Sequence, residues 1–357
     1  MTPRAADVIS RSRPAPRESL LVIFTFYFLE KHFLASGHLF LAPILLFLGI
    51  AGSPRLFSPQ PSPTSVDAQA KIAVSVNLVL LPVNVTDAGG TFVPGLKLED
   101  FRVFEDEQLQ KLTTFEEGDT PVTVGLVVDH SRSMGSKLPG VAAAVYAFAH
   151  SSNAHDEMFV VDFNDDVSVE LMKGKSFSSD AKELEVALSA VAARGRTALY
   201  DAISEGLQHL QYGHSEKKAL IIISDGGDNA SHLKYSQLLE QARQSQTLIY
   251  SIVLVSSDDG EENPGLLRRL CKDTGGIAYF PREGESVINI SKEIARDLRE
   301  QYTLGYVPQN IKGAVAFRKI KVKVTAPGHG RLHVRTRQGY SPAAEKQLAV
   351  QPASGAR

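Results

Sequence analysis

Cysteine and tryptophan are nearly missing from this chain of 357 residues, which contains one cysteine and no tryptophan. One cysteine cannot form a disulfide within the chain, and it excludes a metal cluster built from several thiolates. Cys271 lies in LLRRLC, an apolar stripe of a predicted helix, and free cysteines are usually buried. We therefore predict that Cys271 is a buried structural thiol.

The chain also lacks a large excess of positive or negative charge, because 38 basic and 40 acidic residues give a formal net charge of −2. We find no long basic face and no basic stripe interleaved with aromatic residues, so nucleic-acid binding is not expected. Hydrophobic residues make up 43% of the chain, which is enough to build more than one buried core. The composition is that of an ordinary globular protein.

The first 55 residues differ from the rest of the chain. Four arginines precede two apolar runs, LLVIFTFYFL and LFLAPILLFLGIA, and each run is shorter than the roughly 20 residues that span a membrane. The second run fits a secretory signal with cleavage near Ala51, and an uncleaved signal anchor is the alternative. Both alternatives predict export of the remainder, to the periplasm, the cell surface or the medium. We predict a Pro/Ser-rich linker over residues 56–70 and a disordered tail over residues 342–357, because both ranges are rich in small and polar residues.

Residues 120–301 alternate apolar strands with amphipathic helices. Helices are predicted over 180–193, 197–211 and 285–301. The predicted strands are VTVGLVVD, EMFVVDF, KALIIIS, TLIYSIVLV and IAYF. Nearly continuous apolar strands that alternate with helices are typical of a mostly parallel sheet covered on both faces. We therefore predict a doubly wound α/β domain.

Short β-rich segments flank this domain, over residues 71–119 before it and 302–341 after it. Each flank alone supplies too few strands to close a core, whereas together they supply about six. We predict one β-sandwich that is formed by both flanks, with the α/β domain inserted into it.

Oxygen-bearing side chains follow the strand ends of the α/β segment. Asp129, Ser131 and Ser133 come directly after one strand, Thr197 stands at the start of a predicted helix, and Asp225 follows another strand. Ligands of open α/β sheets bind at the carboxyl ends of the strands, so three loops can bring these five side chains together. Oxygen ligands without Cys or His select a hard cation such as Mg²⁺, with Mn²⁺ or Ca²⁺ as alternatives.

Each part of this pattern has a simpler explanation when it is taken alone. Ser133 and Thr197 are residue types that often cap helices, and Asp225-Gly226-Gly227 is typical of a turn. The coincidence of all three loops at strand ends favours the metal site. Asp162, Asp165 and Asp166 in VVDFNDDV predict a tight turn between two strands.

The motif Asp129-x-Ser131-x-Ser133, followed by Thr197 and Asp225 in this order, resembles the metal-ion-dependent adhesion site of von Willebrand factor type A domains. The flanking segments VTDAGGTFVPGLKLEDFRVFED and RTRQGY resemble exported von Willebrand-related proteins of acidobacteria. The resemblance implies that the three hydroxyls coordinate the metal directly and that the two aspartates often coordinate it through a water molecule. It also implies that an Asp or Glu carboxylate of a protein partner completes the octahedron.

These observations predict an exported, metal-dependent, protein-binding module of the adhesion type. A structural or assembly component of a cell-envelope or secretion complex is the alternative, since it differs only in the partner. An enzyme is not expected, because G-x-S-x-G, H-E-x-x-H and phosphate-loop motifs are absent from the sequence. A metal-dependent hydrolase is the least favoured class. Membrane contact is expected only through a possible N-terminal anchor.

Overall fold

The α/β segment forms a six-stranded sheet in the order β10-β9-β8-β5-β6-β7. All neighbouring pairs are parallel except β6 and β7, which form an antiparallel hairpin at one edge. The strands are β5 (Val122–Asp129), β6 (Glu157–Phe163), β7 (Val167–Glu170), β8 (Lys217–Ser224), β9 (Leu248–Val253) and β10 (Ala278–Tyr279).

Helices cover both faces of this sheet, as the alternating pattern predicts. One face packs against α1 (Leu138–Ser151), α2 (Ala181–Ser189) and α6 (Val287–Arg299). The other face packs against α3 (Leu199–His209), α4 (Tyr235–Gln244) and α5 (Pro264–Thr274). Strand β5 is buried along its whole length because it lies between β8 and β6 and under helices on both sides. The predicted doubly wound, mostly parallel α/β fold is confirmed.

The computed structural model describes residues 78–342 apart from 172–173, 190–191, 256–262, 283–285 and 310–316. All of these residues belong to one unit, Lys71–Arg357. The predicted signal or anchor segment (1–55), the predicted linker (56–70) and the predicted tail from residue 343 onward lie outside the described residues. In the described part of the chain, no helix is long and apolar enough to cross a membrane.

The flanking segments form two antiparallel sheets, in the orders β13-β1-β11-β4 and β14-β12-β2-β3. Before the α/β domain come β1 (Val79–Thr86), β2 (Phe101–Glu105), β3 (Gln108–Leu109) and β4 (Leu112–Glu117), and after it come β11 (Tyr302–Tyr306), β12 (Arg318–Val324), β13 (His333–Arg335) and β14 (Gly339–Tyr340). Each sheet therefore mixes strands from both flanks. The predicted insertion into a β-sandwich is confirmed, and the described residues supply eight strands rather than about six.

A buried carboxylate joins the two flanks inside the sandwich. Glu105 Oε2 accepts hydrogen bonds from the hydroxyls of Tyr306 at 2.7 Å and Tyr340 at 3.0 Å. Its Oε1 accepts a hydrogen bond from Arg318 Nη1 at 2.8 Å. Glu105 belongs to the first flank and its three partners to the second, so this cluster exists only when both flanks are folded together.

The sandwich contacts the α/β domain at the amino-terminal ends of the parallel strands. Leu80 N donates to Oε1 of Gln246, a residue just before β9, at 3.2 Å. Asp297 of α6 accepts from Asn84 Nδ2 at 2.9 Å and from Arg335 Nη2 at 2.6 Å. The buried Arg337 donates to the carbonyl oxygens of residues 243 and 245, at the end of α4. The carboxyl edge of the parallel sheet, where Asp129 lies, is therefore the edge opposite the sandwich.

Cys271 is 1% exposed on α5, as predicted. Its thiol lies 3.4 Å from Ser251 Oγ, and burial raises the pKa of this thiol to about 12. The thiolate is therefore scarce at neutral pH, which agrees with a purely structural role.

Candidate metal centre

Asp129 ends strand β5 and holds two neighbouring loops. Its side chain is fully buried. Asp129 Oδ1 accepts a hydrogen bond from Ser131 N at 2.8 Å, and Oδ2 accepts one from Ser224 Oγ at 2.6 Å. The carboxylate therefore fixes the turn after β5 and ties it to the end of β8. Ser224, which ends β8 just before Asp225, was not among the predicted site residues, because a serine at the end of a strand is common.

A chain of polar contacts brings four of the five predicted ligands together. Ser131 Oγ lies 3.2 Å from Ser133 Oγ, and Ser133 Oγ donates to Asp225 Oδ2. The loop of Asp225 turns through Gly226, whose φ of 90° lies in the left-handed region that favours glycine. Asp129 joins the same group through the backbone of Ser131. The loops after β5 and β8 therefore meet at this cluster of carboxylates and hydroxyls.

Thr197 lies on an adjacent loop, which Asn229 holds in place. Thr197 N donates to Asn229 Oδ1 at 2.9 Å, and the carbonyl oxygen of Thr197 accepts from Asn229 N at 3.0 Å. Among the described residues, no hydrogen bond joins the Thr197 hydroxyl to the other four side chains. Asn229, which follows Asp225 by a few positions in the same loop, was also not among the predicted site residues.

The simpler explanation of Ser133 and Thr197 as helix caps is wrong. Helix α1 begins after Lys137 and helix α3 after Ala198, and neither of these positions carries a side-chain cap. Ser133 lies inside a single 3-10 turn that precedes α1. Both hydroxyls are therefore free of the structural role that their residue type most often has.

Electrostatics in the cluster favour a bound cation. Burial raises the pKa of Asp129 from an ordinary value of 3.8 to about 6, and the nearby charge of Asp225 adds to this effect, while hydrogen bonds from Ser131 and Ser224 oppose it. Within residues 78–342 as described, neither aspartate forms an ion pair with a basic side chain. Two buried carboxylates without a counter-charge are costly, and a divalent cation would remove that cost.

The donor set also fits a hard cation. The two carboxylates and three hydroxyls are all oxygen donors of the kind that Mg²⁺ and Ca²⁺ prefer. No group of three or more His, Cys, Asp or Glu that could hold a metal occurs in the part of the chain that the structure describes. A metal at this centre would therefore depend on the hydroxyls of Ser131, Ser133 and Thr197 as well as on the two aspartates.

The predicted acidic turn lies beside the cluster of carboxylates and hydroxyls and supports it through hydrogen bonds. Residues 164–166 connect β6 to β7, whereas Asp162, which was predicted in the turn, lies inside β6 and pairs with Ser168 of β7. Asp165 accepts hydrogen bonds from Arg196 N at 3.0 Å and Arg196 Nε at 2.9 Å, so the turn supports the loop that carries Thr197. Asp162 faces Nδ1 of His130, and both side chains are buried. These aspartates position the neighbouring loops and are not part of the predicted ligand set.

The raised pKa of Asp129 predicts how stability depends on pH without metal. Between pH 3.8 and about 6, the folded state binds more protons at this carboxyl than the unfolded state does. The free energy of unfolding should therefore fall as the pH rises through this window, by about 3 kcal/mol in total. Asp129→Asn should remove this dependence, whereas Asp106→Asn, at an exposed turn, should leave it intact. Thermal unfolding in EDTA from pH 4 to 8 measures it, and an identical pH profile for Asp129→Asn would contradict the assignment.

A doubly wound sheet with oxygen donors clustered at its carboxyl edge defines a Rossmann-like α/β module. Residues 123–293 match the family model of the von Willebrand factor type A domain, so the chain contains a domain of that family. All five predicted ligands lie within the matched residues. Domains of this family are generally interaction modules rather than enzymes.

Several solved structures resemble this chain at low sequence identity. A von Willebrand factor type A protein from Catenulispora acidiphila is 12% identical, with 68% of this chain and 74% of that chain covered and a TM-score of 0.46. The vWF domain of the type V pili tip protein Mfa5 from Porphyromonas gingivalis is 12% identical, with 52% and 97% covered and a TM-score of 0.39. The pilus adhesin SpaC from Lactobacillus rhamnosus GG is 13% identical, with 68% and 48% covered and a TM-score of 0.41. No curated protein matches the sequence.

Proposed function

We propose that this chain is an exported, metal-dependent, protein-binding module of the adhesion type. Asp129, Ser131, Ser133, Thr197 and Asp225 would hold a Mg²⁺ ion, and an Asp or Glu side chain of a protein partner would bind there. The observation that carries the proposal is the pair of buried aspartates, which contact serine hydroxyls and backbone amides but no basic side chain among the described residues. Export rests on the basic and apolar pattern of residues 1–55.

The hydroxyl and carboxylate side chains of the five residues would have different roles at the ion. Ser131, Ser133 and Thr197 offer neutral oxygens, while Asp129 is already committed to Ser131 N and Ser224 Oγ and orients the first loop. When bound, the cation supplies a positive charge, only partly neutralised by its protein ligands, and a coordination position for an external carboxylate. Selectivity for an acidic group on the partner follows from that residual charge.

Affinity capture with matched Thr197 variants tests this proposal. Residues 71–357 would be immobilised and exposed to envelope extract of the producing cells in Mg²⁺, and then eluted with EDTA. Proteins retained by the native chain and by Thr197→Ser, which keeps the hydroxyl, should be lost from Thr197→Val, which has nearly the same shape. Esterification of the carboxyl groups of the captured protein should abolish its rebinding.

Retention that survives both EDTA and Thr197→Val would contradict metal-dependent binding. That result would instead favour the alternative of a metal-independent assembly component. Calorimetry of the two Thr197 variants with Mg²⁺ alone shows whether the substitution acted on the ion or on the partner.

A further inference from the structure

The outer face of the sheet β14-β12-β2-β3 carries a set of residues that the metal centre does not use. Strands β2 and β12 pair with Val322 opposite Val103, and these side chains point into the sandwich core. The side chains between them therefore point outward, because successive residues of a strand alternate between faces. Arg102, Phe104, Leu109, Lys319, Lys321 and Lys323 make up this outward set, which we name the basic face.

The basic face concentrates four positively charged side chains. All four of its basic residues are exposed, and among the described residues none of them forms an ion pair. Arg102 stands directly opposite Lys323 across the strand pair, an arrangement of like charges that destabilises a sheet. The outward positions of β2, β3 and β12 include no acidic residue. Asp106 and Glu107 lie in the β2–β3 turn, where Asp106 Oδ1 accepts a hydrogen bond from the backbone N of Lys319 at 2.9 Å.

Apolar side chains lie in the middle of this positive charge. Lys321, Phe104 and Leu109 form one row across three strands. Leu109 is 56% exposed and Phe104 is half-buried, while Lys323 Nζ lies 5.2 Å from the centre of the Phe104 ring. The face thus presents cationic groups around a short apolar strip.

We propose that the basic face binds an anionic phospholipid surface. Lysine and arginine side chains attract acidic lipid headgroups, and exposed Leu and Phe side chains contribute by entering the boundary between headgroups and acyl chains. A soluble polyanion would engage the four charges but would leave Leu109 and Phe104 without a partner. The carboxyl edge of the α/β sheet lies opposite the sandwich, so this attachment leaves the metal centre accessible.

Vesicle flotation tests the charges. Residues 71–357 are used, because all three hydrophobic cores of the structure are built from residues of this segment. The native segment should float with phosphatidylcholine vesicles that also contain phosphatidylglycerol, and not with phosphatidylcholine alone. Each lysine contributes roughly a fivefold change in affinity, so replacing Lys319, Lys321 and Lys323 with Gln should weaken binding by about a hundredfold.

A matched triple variant separates this surface from net charge. Replacing the exposed Lys182, Lys234 and Lys292 with Gln removes the same charge from the α/β domain and should leave vesicle binding within about twofold, since the surface potential falls off within a Debye length. The variant of the basic face should remain folded, because all three substituted lysines are exposed, and circular dichroism checks this. Equal losses in the two triple variants would overturn the assignment to this face.

A third comparison distinguishes a lipid surface from a soluble polyanion. Leu109→Ser keeps every charge, and it should weaken vesicle binding several-fold while leaving binding to heparin unchanged. Binding to heparin or duplex DNA as tight as to the vesicles, with no effect of Leu109→Ser on either, would overturn the lipid proposal in favour of a polyanion site.

Discussion

Asp129→Ala should abolish Mg²⁺ binding by residues 71–357, with a loss in affinity of more than about a hundredfold. The substitution removes the charge of a predicted ligand and also the two hydrogen bonds through which Asp129 orients Ser131 and the end of β8. Titration calorimetry with Mg²⁺ and Mn²⁺ measures the effect. The fold should survive, because the sheet core consists of aliphatic and aromatic side chains that do not depend on an ion.

Two further variants should lose less metal affinity than Asp129→Ala. Ser224→Ala removes the hydrogen bond to Asp129 Oδ2 and the one that Ser224 Oγ accepts from Gly226 N, and it should cost about tenfold in metal affinity. Asp165→Asn changes a carboxylate that supports Arg196 outside the ligand set, and it should have a smaller effect than either. Unchanged affinity in Asp129→Ala, with the protein shown by circular dichroism to be folded, would place the metal elsewhere or nowhere.

Deleting residues 302–342 should unfold residues 78–117 while leaving the α/β domain folded. Strand β1 would lose β11 and β13, and β2 would lose β12, so the first flank would keep only the β2–β3 pair. Unpaired strand edges and an exposed apolar face cannot be stable in water. Limited proteolysis followed by mass spectrometry should show rapid cleavage within 78–117 and a resistant fragment near 120–301. A protease-resistant 78–117 fragment would contradict the insertion.

A point substitution tests the same cooperation in the intact chain. Glu105→Gln leaves Arg318 beside a neutral partner in a buried cluster, and it should lower the free energy of unfolding by about 3 kcal/mol. The control is Glu107→Gln, which changes an exposed carboxylate of the same hairpin and should alter stability by less than about 0.5 kcal/mol. Urea unfolding followed by far-UV circular dichroism compares the two variants.

The predicted ligands and their supporting residues differ in how visible they are in the sequence. Asp129 and Asp225 follow long apolar strands, so their position at the carboxyl edge could be predicted from periodicity and from the rule for ligands of α/β sheets. Ser224 and Asn229 carry no such signal, because a serine that ends a strand and an asparagine in a loop are common. Their role depends on which loops face each other, and this depends on strand order.

The basic face, too, could be predicted only in part from the sequence. Three lysines alternate with apolar residues over 319–323, and this short pattern was visible but too brief to count as a basic stripe. Arg102 and Phe104 join it only through the pairing of β2 with β12, two strands that lie on opposite sides of the inserted α/β domain in the sequence.

The sequence by itself determined the doubly wound α/β fold and the insertion between two β-rich flanks, because both follow from local periodicity along the chain. The order of motifs at the strand ends also predicts the five candidate metal ligands. Only the tertiary structure decided that Glu105 is buried against Arg318, that Asn229 holds Thr197, and that Arg102 stands beside Lys323. These contacts join residues far apart in the chain, and their geometry is set by sheet register and by the packing of whole layers. Neither of these can be obtained from the pattern of a single segment.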